Sequence, residues 1–528
     1  MLQVTPLVEG LRARPHFVFW SAALAQAVIW TLVPALFYAS PPGDMPQVLA
    51  IGREWQAGSV AGPPLASWLA EIAFNLSGRH VIGVYLLSQL CVVVTYWAVF
   101  TLGCSIVGVR HAAMAVLLMA GIFIFSVHSA EFGPAVAGMP FAALAMLHLW
   151  RAFGEGKARY WFAAGADLGL LILASYAGLV LLAVIALFLS ATPRGRAALS
   201  NAEPWAGGML AVFIASPYLI WLANGGRLSP GGFLDAMSWS AATFADDWLM
   251  LIAGLLLAHA GLAVFILIAV SARKALGPAP SFAREPVGDF ARTFVYYFAV
   301  APAAAGLIIA VLAGGMTLAG GTGPLVVLST LGIVVAAGDL IELRRQRALS
   351  LMWIMFLIGP ALAMAGGVFL LPWTLGVALN TNDPAASMAR FFTESFNRRT
   401  GRPLELVIGD QRLVSLVALA SRDRPSIFID GSPERSPWVG ETEVRDKGGI
   451  VLWPVTDAVG APPPIIRARF PNLTPEMPRA FERPVQGRLP LMRVGWALIR
   501  PQSKETGQTT GRRPSDSNSG LGLRPSLR

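Results

Sequence analysis

Long apolar runs constrain this chain more than any other feature. Over the first 373 residues about eleven segments read as membrane-spanning: 16–39, 81–107, 111–127, 134–150, 158–175, 177–191, 205–223, 248–271, 293–313, 324–341 and 350–373. A helix needs roughly 20 apolar residues to cross a hydrocarbon core about 30 Å thick. With 55% hydrophobic and 13% charged residues over 528 positions, the composition excludes an ordinary soluble protein. The expected fold is a polytopic α-helical membrane protein.

Lys and Arg divide unequally between alternate loops. One set holds fifteen, from Arg12 and Arg14 through Arg110, Arg284 and Arg292 to Arg347; the other holds Arg53, Arg79 and Arg227. Positive loops stay in the cytoplasm on insertion. The amino terminus is therefore expected there, and an odd number of spans puts everything after Trp373 outside. The first apolar run starts after Arg14 without a small-residue cleavage pattern and reads as a retained anchor. The net charge of +10 fits attraction to membrane lipids. Nucleic acid is not an expected partner, because the Arg residues are spread along loops without a basic, aromatic-interleaved face. Cys91 and Cys104 share one span, thirteen residues apart, about 20 Å on a straight helix and too far for a disulfide.

After Trp373 the apolar runs stop. Residues 384–399 and 412–421 have helical spacing, while 403–410, 426–430 and 449–455 read as short strands, with paired strands expected near 480–500. The expected organisation is a transmembrane region over 1–373 with an external loop at 40–80, a small soluble α/β domain over 374–501, and a disordered tail over 502–528, where almost nothing is available to bury.

Chemistry concentrates in the loop 40–80. Leu65, Trp68, Leu69, Ile72, Ala73 and Leu76 fall on one helical face and Ser67, Glu71 and Asn75 on the other, behind Pro63-Pro64. The spacing predicts an amphipathic helix lying in the outer interface with Trp68 at headgroup depth. Asp44, three residues before Gln47, matches a capping box. Glu131 and His128 lie in the second external loop, where Glu131 is placed to cap the following helix. Arg53 and Arg79 also read as interfacial anchors. Asp167 is the clearest acid well inside a span, and such groups are costly enough to point to function. Asp246-Asp247 reads as a cap of the eighth span.

Several stretches together resemble membrane glycosyltransferases of the C-type fold, which use polyprenyl-phosphate sugars. They are Asp44 early in the first external loop, Pro63-Pro64-Leu65 followed by Trp68, Arg151 to Trp161 (RAFGEGKARYW), and Ala174-Ser175-Tyr176. The resemblance covers about the first 200 residues. It is to the branch with the aminoarabinose and galacturonic acid transferases of lipopolysaccharide and the protein O-mannosyltransferases. It implies inverting transfer of a sugar to a lipid or glycan acceptor at the periplasmic face of a bacterial inner membrane. Asp44 would be the base and Glu131 would orient the acceptor or share that role. Arg53 and Arg79 would hold the phosphate, with Glu54, Trp55, Trp68, His128 and Tyr176 completing the substrate-binding set. Partial desolvation would bring the Asp44 carboxylate toward a useful proton affinity. A divalent cation held by Asp44, Glu131 and water would suit Mg²⁺ or Mn²⁺, though two carboxylates on separate loops do not require one.

The sequence departs from the family pattern at Met45, where a second acid is common, at Gly62, where Lys or His often precedes the double proline, and at Ser175, where Lys is common. Two other classes stay open. A transporter or lipid flippase would place several polar groups at the bilayer midplane, and this chain places almost none there. A non-catalytic subunit would use Asp44 only as a cap and bind a partner through the outer domain.

Overall fold

Hydropathy and length decide most of the architecture. The computed structural model describes residues 5–59, 62–224, 244–270, 280–312, 318, 320–455 and 460–502; the expected tail and Arg227 lie outside them. Among these residues six helices are long and apolar enough to cross a membrane, or up to nine if each bent pair is one span. The six are α2 (Pro15–Phe37), α5 (Ile82–Ile106), α7 with its π-helical end (Pro134–Gly154), α11 (Ala202–Asn224), α14 (Asp289–Leu312) and α17 (Gln346–Thr374). Cys91 and Cys104, both on α5, are free thiols.

Breaks interrupt several of the apolar runs. α6 (Val109–Met119) turns by 85° into Phe123–Ala130, α9 (Ala177–Ala191) by 103° into α10 (Pro193–Leu199), and the run from Trp248 by 56° between α12 (Phe244–Ala258) and α13 (Ala260–Val270). The side chains of Asp246 and Asp247, at the start of α12, lie outside the described residues. The run expected at 158–175 is the 15-residue α8 (Tyr160–Ala174), and that at 324–341 is two short helices, α15 (Thr322–Leu325) and α16 (Ser329–Ala336). The Gly321 N-cap and Pro324 favour a turn over a continuous helix there.

Beyond α17 lies a mixed five-stranded sheet. Its order is β4 (Ser426–Ile429), β3 (Leu406–Gly409), β5 (Gly449–Pro454), β7 (Met492–Ile499), β6 (Arg479–Phe481). The first three strands are parallel and β7 runs antiparallel to both of its neighbours. α18 (Ala385–Thr400) and α19 (Gln411–Ala420) cover one face. Near-continuous burial of β3 and β5 is what a parallel strand covered on both faces requires.

The segment between α2 and α5 packs into this unit. α3 (Met45–Gly52) has all eight residues buried, and Ala50 and Ile51 share a core with Phe392, Leu413, Val417 and Ile427. α4 (Leu65–Leu76) is amphipathic as its spacing implies, with Ile72 and Leu76 exposed. Its polar face meets protein: Glu71 is 5% exposed and accepts from Arg424 Nη1 at 2.8 and 2.9 Å, while Arg424 Nη2 donates to the Leu49 carbonyl at 3.0 Å. A buried carboxylate needs such a partner.

Candidate functional site

The chain leaves α2 at Tyr38, turns through Pro41-Pro42-Gly43 and enters α3 at Met45. Gly43 has φ +54, and a Cβ there would stand 3.0 Å from Glu131 Oε2, so a side chain at this turn would be strained and would push Glu131 aside. Asp44 occupies the N-cap position but makes no capping hydrogen bond. The reciprocal half of a capping box is absent as well, because the Gln47 side chain turns outward from its own helix and accepts from the side chain of Gln411 on α19. The Asp44 carboxylate is exposed.

Glu131 follows the 3₁₀ turn Val127–Ala130 and is half-buried. Burial pushes its carboxyl above the ordinary range, the His128 side chain pulls it back, and the charge of Asp44 raises it again. Burial thus falls on Glu131, while Asp44 beside it is exposed. Glu131 does not cap α7, whose N-cap is Gly133 with no side-chain bond. Tyr38, close by, is pushed up to about 12 by burial and by Glu131. Asp44, Glu131, His128 and Tyr38 thus form one polar group at the C-terminal end of α2.

A cleft of about 160 Å³ opens beside it, lined by Gly43, Asp44, Gln47, Asn380, Gln411 and Arg412. Arg412 ties the cleft together. Its Nη1 donates to the Gly43 carbonyl at 3.0 Å, Nε to Asp383 at 2.8 Å and Nη2 to the Asn380 carbonyl at 2.7 Å. Sequence reasoning missed this residue, because only the fold brings position 412 to position 43.

The other candidates separate. Trp55 and Trp68 face each other with ring centroids 6.4 Å apart, and the Trp68 indole donates to the Gln56 carbonyl at 3.1 Å. Tyr176 lies 3.4 Å from where a Gly62 Cβ would stand and 6.4 Å from Tyr218, which stacks on Trp221, giving an aromatic wall beside the double proline. Arg53 and Arg79 are exposed, and no contact among the described residues joins either to Asp44 or Glu131. Glu54 points away from the cleft to Ser426 on β4; burial raises its carboxyl, while Ser426 and Arg53 lower it. Its place is against the sheet, where β4 approaches the end of α3.

Ser175 shows why lysine is not needed for the fold at this point. Fully buried, it donates to the Gly320 carbonyl at 2.6 Å and accepts from the Ala177 N–H at 3.1 Å, fastening the start of α9. Asp167 pairs with His148 at 2.6 Å inside the bundle, a partner the sequence reading did not name. For a divalent cation the site offers the two carboxylates of Asp44 and Glu131; no group of three or more His, Cys, Asp or Glu ligands forms among the described residues. Chemically, the cleft offers one exposed carboxylate as a proton acceptor beside a partly desolvated one.

No curated protein matches the chain. Among solved structures it is similar to ArnT from Cupriavidus metallidurans, solved bound to undecaprenyl phosphate, with TM-score 0.48, 13% identity, and 91% of this chain and 97% of that chain covered. It is also similar to the oligosaccharyltransferase AglB from Archaeoglobus fulgidus, solved with an inhibitory peptide and a dolichol-phosphate, with TM-score 0.41, 13% identity, and 79% and 64% covered. Residues 61–221 match the family model described as dolichyl-phosphate-mannose-protein mannosyltransferase. The likeness to lipid-phosphate-sugar-dependent membrane glycosyltransferases is thus found again over the stretch that holds Pro63-Pro64, Trp68, Glu131 and Tyr176, with Asp44 seventeen residues ahead of it.

Proposed function

We propose that the chain is an inverting glycosyltransferase that moves one sugar from a polyprenyl-phosphate donor to a hydroxyl-bearing acceptor at the outer face of a membrane. The observation that carries the reading is the Asp44 carboxylate: free of any capping bond, exposed in a cleft, and beside the partly desolvated Glu131. Asp44 takes the proton of the acceptor hydroxyl as its oxygen forms a bond to the anomeric carbon. The bond from that carbon to the phosphate oxygen breaks on the opposite face, and the phosphate leaves with the electron pair. Glu131 orients the acceptor, and Arg53 and Arg79 meet the departing phosphate as exposed cations of the same loop. Trp55, Trp68 and Tyr176 offer apolar faces to sugar rings or to the lipid.

The full reading includes eleven spans, a cytoplasmic amino terminus, a periplasmic α/β domain over 374–501 and a bacterial inner membrane. It rests on the division of Lys and Arg between the loops. Lipid, lipopolysaccharide and other glycan acceptors all fit the chemistry. The test is transfer from lipid-linked donors by the purified full-length protein and by Asp44→Asn. Loss of a general base is expected to lower kcat about 10²- to 10⁴-fold with donor binding retained. Wild-type turnover in the variant would refute the mechanism, and donor binding without transfer in the wild type would refute the activity.

A further inference from the structure

The end of α2 opposite Asp44 opens into a second cavity, of about 820 Å³, lined among others by Arg12, His16, Arg110, His111, Arg284 and Glu285. Three segments build it. They are the junction of α1 (Pro6–Ala13) with α2, the Gly108 turn between α5 and α6, and the stretch after β1 (Ser281–Ala283), which pairs with β2 (Leu340–Glu342). α2 has 23 residues, so about 35 Å of helix separates this cavity from the Asp44 cleft.

Two lining groups are buried with donors or acceptors left over. The Arg284 side chain is 5% exposed; its Nη2 donates to the Val335 and Gly338 carbonyls at 3.3 and 3.0 Å, and its Nε stands 3.4 Å from Asp339 Oδ1. Among the described residues its Nη1 has no hydrogen-bond partner. His111 is 2% exposed, and although its ring approaches the Phe282 carbonyl, its Nε2 makes no hydrogen bond among the described residues. A buried charged donor without a partner is costly. Three guanidiniums line the cavity against one carboxylate, and Asp339 is already engaged with Arg284. Guanidinium forks match phosphate oxygens in geometry and charge.

We propose that this cavity is a phosphate-binding site, separate from the Asp44 cleft, in which Arg284 Nη1, His111 Nε2 and Arg110 hold a phosphate monoester or diester. A phospholipid headgroup of the leaflet at this end of the bundle and a soluble phosphate compound carry the same chemistry. The full-length protein is tested by thermal shift in detergent with inorganic diphosphate, and by native mass spectrometry from nanodiscs containing phosphatidylglycerol. Binding of diphosphate in detergent identifies a soluble ligand, and retention of phosphatidylglycerol that diphosphate does not displace identifies a headgroup. In either case Arg110→Glu, at an exposed position, and Arg284→Lys are expected to weaken binding about tenfold, and Asp44→Asn is expected to leave it unchanged. The proposal is overturned if wild type and Arg110→Glu hold both probes equally, or if Asp44→Asn abolishes binding.

Discussion

At the scale of single residues, the carboxylates of Asp44 and Glu131 differ in environment, and that difference is measurable. The folded state holds the Glu131 proton more tightly than the unfolded chain does, because burial raises its carboxyl. Its ionisation therefore opposes folding: the contribution is fully present below the unfolded carboxyl value and is lost as pH rises through the higher folded one. Melting temperature against pH should fall less steeply across that window in Glu131→Gln than in wild type. Asp44→Asn removes a charge that raises Glu131, so the Glu131 titration, followed by carboxyl carbon NMR, should move to lower pH; an unmoved titration would show the two to be independent. Asp44 was singled out from its place after the first apolar run, and the fold sets it on a cleft. The capping box it was fitted to was not real, because local spacing cannot register that Gln47 bonds to a residue 364 positions away. Arg412 was invisible for the same reason.

At the scale of elements, the apolar runs were legible because solvation in a bilayer depends on composition, which a sequence states directly. The bends after α6 and α9 were not. They depend on packing, as where Gly121 accepts at 2.9 Å from the Leu262 N–H at the start of α13 and leaves no room for a Cβ. The amphipathic α4 was read correctly as to its two faces, yet nothing local indicated that Glu71 would face Arg424. Their side chains are 6% and 8% exposed, so removing one partner leaves a buried unpaired charge. Arg424→Ala is expected to cost about 3–5 kcal/mol of stability, and Glu71→Ala with Arg424→Ala clearly less than the sum of the single variants. Additive losses by chemical denaturation would show that the pair carries no coupling.

At the scale of the whole molecule, the sheet beyond α17 and the loop before α4 form one packed body, since Ala50 and Ile51 are core residues of the sheet. Residues 384–502 produced alone should therefore expose an apolar face and aggregate, and a peptide of residues 41–79 added during refolding should restore a monomer, as read by light scattering. Arg412→Ala should loosen the Gly43 turn and lower sugar transfer more than donor affinity, because its bonds position backbone and touch no donor. The strand and helix positions of this region were legible from short apolar runs and helical spacing, while its seat on α3 was not. That seat joins two parts of the chain 364 residues apart. At roughly 5–20 residues per second, on the order of 20–70 s separates translation of Gln47 from that of Gln411. During that interval a nascent copy has Asp44 without Gln411 and Arg412 beside it, so the cleft is closed only after both ends of this contact have been made.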